Sequence, residues 1–95
     1  MITNTEKETI VKYAKKYNIE TIYLFGSSIE ENSTANDIDL GIIGIQPGQF
    51  FKFMSELSKN LPKNIDIVDL SDKTLFNTMV KENGKIIYES TSKGV

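Results

Sequence analysis

Asp37 and Asp39 stand two residues apart in the stretch 37–43, where Ile38, Leu40 and Ile42 occupy the alternate positions. In an extended strand that spacing puts both carboxylates on one face, about 7 Å apart along the backbone, where their like charges repel. A divalent cation relieves the repulsion: carboxylate oxygens at about 2.0–2.1 Å suit Mg²⁺, which takes its other ligands from water and substrate phosphate. An isolated Asp-x-Asp pair is more simply a solvated turn, so the neighbours decide. Upstream, Phe25-Gly26-Ser27 ends an apolar run. There a glycine lets the backbone approach a ligand, and the turn that follows can aim N–H groups at phosphate. Taken alone, Gly26 and Ser27 also fit an ordinary strand-ending turn. Downstream, Ile65-Asp66-Ile67 sets a third acid between two apolar residues, an expensive place for a carboxylate without a partner. A shared metal would supply that partner. Asp69 is a rival third acid, but in a regular strand it faces away from Asp66 and lies nearer a helix start.

The elements that must position these acids follow from periodicity and turn chemistry. Thr5 with Glu8 makes a capping-box pattern, and Ile10, Val11, Ala14 and Tyr17 recur at helical spacing, which predicts a helix over residues 6–17. Residues 21–25 are apolar, β-branched and aromatic and predict a buried strand stopped by Gly26. Residues 27–36 are polar; they can open as a short helix but must contain a loop. After the strand at 37–43, Phe50, Phe51, Phe53, Met54, Leu57 and Leu61 fit an amphipathic helix stopped near Pro62, with the aromatic cluster as core. Residues 65–70 predict a third strand. Ser71 can cap a helix to about residue 82, with Leu70 and Leu75 placed as a hydrophobic staple and Gly84 at its end. Residues 85–89 predict an edge strand, and 90–95 a flexible tail. The order implies an α+β fold over residues 1–95, one domain with a mixed β-sheet and flanking helices.

Composition narrows the chemistry. The chain of 95 residues has no cysteine and no histidine, so disulfides, thiolate and imidazole metal sites, cysteine nucleophiles and Ser-His-Asp triads are excluded. Catalysis must come from carboxylates, hydroxyls, lysine, tyrosine or a bound ion. With 11 basic and 13 acidic side chains, a net charge of −2 offers no broad attraction for a nucleic-acid backbone. No apolar run approaches the roughly 20 residues that span a bilayer, and the start of the chain lacks the order of a secretory signal, so a cytoplasmic protein is expected. Lys63 and Lys73 read as surface charges.

Together, Phe25-Gly26-Ser27, Asp37-Ile38-Asp39-Leu40 and Ile65-Asp66-Ile67 resemble the three-part signature of the DNA polymerase β-like nucleotidyltransferase superfamily. Within it the chain is most similar to the minimal nucleotidyltransferases, small prokaryotic proteins often paired with HEPN-domain partners. The likeness covers nearly the whole chain, including the closing strand from Gly84 to Glu89. It implies the nucleotidyltransferase fold and two Mg²⁺ ions about 3.5–4 Å apart, held by Asp37 and Asp39. Asp66 would ligate the catalytic ion and act as general base, while Gly26, Ser27 and Ser28 would cradle the phosphates of ATP or another nucleoside triphosphate. The transferred group would be a nucleoside monophosphate and the acceptor a hydroxyl. Larger relatives carry further domains that hold the acceptor. Here it would have to be recognised by a partner protein or by self-association, or be a protein itself; a HEPN toxin, with this chain as antitoxin, is what the resemblance suggests. One departure stands out: Ser28-Ile29-Glu30-Glu31-Asn32 occupies the place where many relatives carry a small residue, arginine and glycine. The added acids leave open a degenerate module that neutralises its partner by contact alone.

Overall fold

Thr3, not Thr5, opens the first helix, α1 (Asn4–Lys16). Two capping-box patterns overlap here, Thr3 with Glu6 and Thr5 with Glu8, and the earlier one closes. The Thr3 hydroxyl accepts from Glu6 N at 3.1 Å, and Glu6 Oε1 accepts from Thr3 N at 2.8 Å. Glu6 is also the acid that reaches a distant partner, Lys63 Nζ at 3.2 Å, although it is buried. Glu8 stays exposed. Tertiary pairing thus selects between two locally equivalent caps.

The computed structural model describes residues 2–26 and 37–90; the expectations for the loop at 27–36 and the tail at 91–95 lie outside the described residues. After α1 come β1 (Thr21–Phe25) and β2 (Asp37–Ile43), then a 3₁₀ turn (Pro47–Gln49) leading into α2 (Phe50–Asn60). β3 (Asn64–Asp69), α3 (Leu75–Asn83) and β4 (Lys85–Glu89) complete the order. Ser90, expected at the start of the tail, still donates its N–H to Glu20 O at 2.8 Å. Among the described residues no helix is long and apolar enough to cross a membrane.

The four strands form one mixed sheet in the order β3-β2-β1-β4. β1 runs antiparallel to both β2 and β4, whereas β2 and β3 are parallel. A parallel pair needs a crossover connection, and α2 supplies it. One face of the sheet carries Ile22, Leu24, Ile38, Leu40, Ile42, Ile67 and Ile87, and Ile10 and Ala14 of α1 and Phe53 and Leu57 of α2 close over it as the main core. α1 and α2 are tied at their edges by Lys16 Nζ to Glu56 Oε1 at 2.7 Å and by the edge-on rings of Tyr17 and Phe53.

The opposite face is only partly covered. Leu70 packs over Gly41, where a Cβ would stand 2.5 Å from Leu70 Cδ1, and Phe76 of α3 meets Phe25 of β1 edge to face. Three expectations change in these regions. Of the α2 aromatics Phe53 is fully buried and Phe50 packs half-buried against the core, but Phe51 is 77% exposed, because it lies off the stripe through residues 50, 53, 54, 57 and 61. α3 is capped by Thr74, whose hydroxyl accepts from Asn77 N at 3.0 Å. Ser71 instead donates its N–H and hydroxyl to Asp69 Oδ1, at 2.9 and 2.6 Å, forming a turn before the helix. With the cap moved, the Leu70–Leu75 staple does not form: Leu70 is fully buried and Leu75 is 78% exposed.

Candidate active site

Asp37 and Asp39 project from the first half of β2, and alternation places them on the face away from the α1–α2 core. The parallel register sets Asp39 beside Asp66 of β3, and the antiparallel register sets it beside Phe25 of β1. One row across the sheet therefore reads Asp66, Asp39, Phe25, with Asp37 one pleat along from Asp39. β1 ends at the site in Gly26, whose φ is +67°. A Cβ there would stand 2.6 Å from Asp39 Oδ2, so a side chain at this position would collide with the carboxylate in addition to straining the backbone.

Asp37 and Asp66 are exposed and Asp39 is half-buried. Burial pushes the Asp39 carboxyl above the usual range, and the negative charges of Asp66 and Asp37 push it further in the same direction. The expectation of a costly buried acid at Asp66 is corrected: β3 is an edge strand in which Ile65 and Ile67 turn toward the core while Asp66, on the other face, is exposed. What links Asp66 to the site is its register with Asp39. Asp69, on the other face, serves the turn to Ser71. Lys63 is not a plain surface charge, because it pairs with Glu6. Ser27 and Ser28 lie outside the described residues.

Three oxygen donors crowded enough to raise the pKa of the central one suit a hard divalent cation. Among the described residues, however, no three acids already converge on one ion position. The fit rests on donor chemistry and register.

Beside Gly26 lies a feature that the sequence reading missed, a cleft of about 210 Å³ lined by Phe25, Gly26, Phe76, Met79, Asn83 and Gly84, with Val80 beneath. The consecutive apolar pair Leu75-Phe76 at a helix start was the available signal. A larger cleft of about 540 Å³, lined by residues including Lys16, Tyr17, Gln46 and Glu56, sits at the opposite end of the sheet, beyond the Thr21–Ile43 register pair, and contains none of the three aspartates.

Comparison with known proteins agrees with this fold. A chain of the crystal structure of the toxin–antitoxin MntA-HepT superposes with a TM-score of 0.69 at 23% identity, covering 95% of this chain and 75% of that one. A toxin–antitoxin structure with AMP-PNP gives 0.72 at 25% identity, covering 90% and 75%. The structure of a tri-AMPylated Shewanella oneidensis HEPN toxin in complex with MNT antitoxin gives 0.71 at 22%, covering 96% and 76%. Among curated proteins none matches the chain with significance. The family model described as polymerase beta, nucleotidyltransferase matches residues 8–93, a span that takes in all three aspartates, Gly26 and every strand of the sheet, and the chain belongs to that family.

Proposed function

We propose that this chain is a cytoplasmic, Mg²⁺-dependent nucleotidyltransferase that moves a nucleoside monophosphate, AMP in the first instance, from a nucleoside triphosphate to a hydroxyl of a HEPN-type partner, as the antitoxin of a toxin–antitoxin pair. The observation that carries the proposal is the register of Asp39 with Asp66 on adjacent parallel strands, with Asp37 on the same face and Gly26 close against the Asp39 carboxylate. The superposed structures with AMP-PNP and with a tri-AMPylated toxin support AMP as the transferred group.

In this reading Asp37, Asp39 and Asp66 hold the metal, which when bound neutralises phosphate charge and eases ionisation of the acceptor hydroxyl. Gly26, lacking a side chain, lets the triphosphate approach Asp39, and Ser27 and Ser28 donate to its oxygens. The acceptor oxygen bonds to the α-phosphorus as the bond to the bridging oxygen breaks, and pyrophosphate leaves in line. A carboxylate oxygen of exposed Asp66 takes the hydroxyl proton.

A contact-only antitoxin is the second reading, favoured by Glu30 and Glu31 after Ser28 and by the lack of a preassembled three-acid site among the described residues. The test incubates wild type and Asp66→Asn with the purified partner, Mg²⁺ and each nucleoside triphosphate, then weighs the partner intact. A nucleotide-sized mass gain is expected with wild type, lowered by at least roughly 10²–10⁴-fold in rate in the variant. No gain with any nucleotide, while the complex still forms, would establish the contact-only antitoxin instead.

A further inference from the structure

We infer that the cleft between β1 and α3 takes the base of the nucleoside triphosphate, with Phe76 as the side chain on which the base stacks; this rests on the nucleotidyltransferase reading above. Position carries the first part of the argument. Gly26 forms one wall of the cleft and also abuts Asp39 Oδ2, so the cleft and the acids share a boundary residue. A triphosphate whose phosphates lie at Gly26 and the acids has its nucleoside end at the mouth of this cleft.

Size and chemistry carry the second part. About 210 Å³ is below the roughly 300–1,000 Å³ of sites that enclose a drug-sized molecule, so the cleft suits a planar ring system rather than a whole nucleotide. Phe76 and Met79 are 52% and 53% exposed, apolar side chains that the main core does not use. The Phe25 and Phe76 rings hold each other edge to face, with centroids 6.1 Å apart and planes at 82°, which fixes the stacking ring before a ligand arrives. Asn83 supplies a polar group at the wall: its Nδ2 donates to Met79 O at 3.0 Å, and its amide oxygen is an acceptor suited to the exocyclic amino group of a base.

The experiment is calorimetric titration of the full chain with ATP and, separately, with inorganic tripolyphosphate, both with Mg²⁺, for wild type, Phe76→Ala and Phe76→Leu. Wild type is expected to bind ATP more tightly than tripolyphosphate. Both variants should weaken ATP roughly 5- to 150-fold, the effect of removing an aromatic platform from a stacked base, and leave tripolyphosphate unchanged. The wild-type comparison stands even where a variant folds poorly. Tripolyphosphate binding with no gain from the base, or ATP affinity unchanged in a folded Phe76→Ala, overturns the base site alone. Unchanged ATP affinity with loss of binding to the partner protein would assign this face to protein contact. Failure of both ligands to bind overturns the nucleotidyltransferase reading together with it.

Discussion

Glu6 sits on the helix-packed side of the molecule, 5% exposed, yet its carboxyl lies below the ordinary glutamate value; Asp39, on the open face, lies above the ordinary aspartate value. Burial pushes both upward. For Glu6 the Thr3 N–H, the Lys63 ammonium and the Thr3 hydroxyl outweigh it. For Asp39 the nearby charges are Asp66 and Asp37, which add to it. One acid is placed among groups that favour its charge, and the other beside two charges of its own sign. The second arrangement costs stability and makes sense where a cation or the charge of a reacting group is to be met.

The largest effect should come from the packed face. Leu40 and Asp39 are consecutive residues of β2, and Leu40 is fully buried among Ile22, Ile38 and the helices. Leu40→Ala should destabilise by about 2–5 kcal/mol, read as a lower urea midpoint with an unchanged slope. A loss well under 1 kcal/mol would mean that the two faces do not divide stability and chemistry as described. At the boundary between the faces, Gly26→Ala forces a left-handed alanine and drives its Cβ to 2.6 Å from Asp39 Oδ2. It should cost about 1–2 kcal/mol for the backbone alone and lower nucleotide transfer by more than that stability loss explains. Near-wild-type stability and transfer together would remove Gly26 from the site.

Much of this division is legible in the sequence. The strands at Thr21–Phe25, Asp37–Ile43 and Lys85–Glu89 have the expected bounds because glycine or a polar break closes each run. The same-face placement of Asp37 and Asp39 follows from the period of two, which no tertiary contact can alter without breaking the strand. What alternation cannot reveal is which strand ends up at the sheet edge. Asp66 looks buried between Ile65 and Ile67, but in β3 one flank is open and the acid is exposed. Caps were ambiguous for a related reason. Thr3 and Thr5 offer the same local pattern, and Ser71 and Thr74 both precede an apolar run. The choice was made by Lys63 reaching Glu6 in one case and by Asp69 capturing Ser71 in the other. These are contacts between residues whose proximity depends on the fold. The cleft at Phe76 is of the same kind, since it exists only where α3 crosses the end of β1.

The smallest effect tests the comparison of the two acids directly, through the pH dependence of stability in the absence of divalent cations. Glu6 has a depressed folded pKa, so its stabilisation is present above the unfolded value near 4.3 and is lost as pH falls through the lower folded value. Asp39 has a raised folded pKa, so the folded chain holds this proton more readily than the unfolded chain. Its contribution therefore declines as pH rises from about 3.9 through the folded value and stays low at neutral pH. Removing each charge should move stability in opposite directions at pH 7. Glu6→Gln should melt lower than wild type by the equivalent of about 1 kcal/mol, because the ion pair and part of the cap are lost. Asp39→Asn should melt higher by a few tenths to about 1 kcal/mol, the scale of a solvent-screened charge interaction. Both differences should shrink toward zero as the acids are protonated in each state, and adding Mg²⁺ at pH 7 should erase the advantage of Asp39→Asn by stabilising wild type alone. Thermal melts of the three proteins from pH 3 to 8, with and without Mg²⁺, read all of these effects. Shifts of the same sign in both variants would show that the two acids occupy equivalent environments, and the contrast between the faces would then fail at its chemical centre.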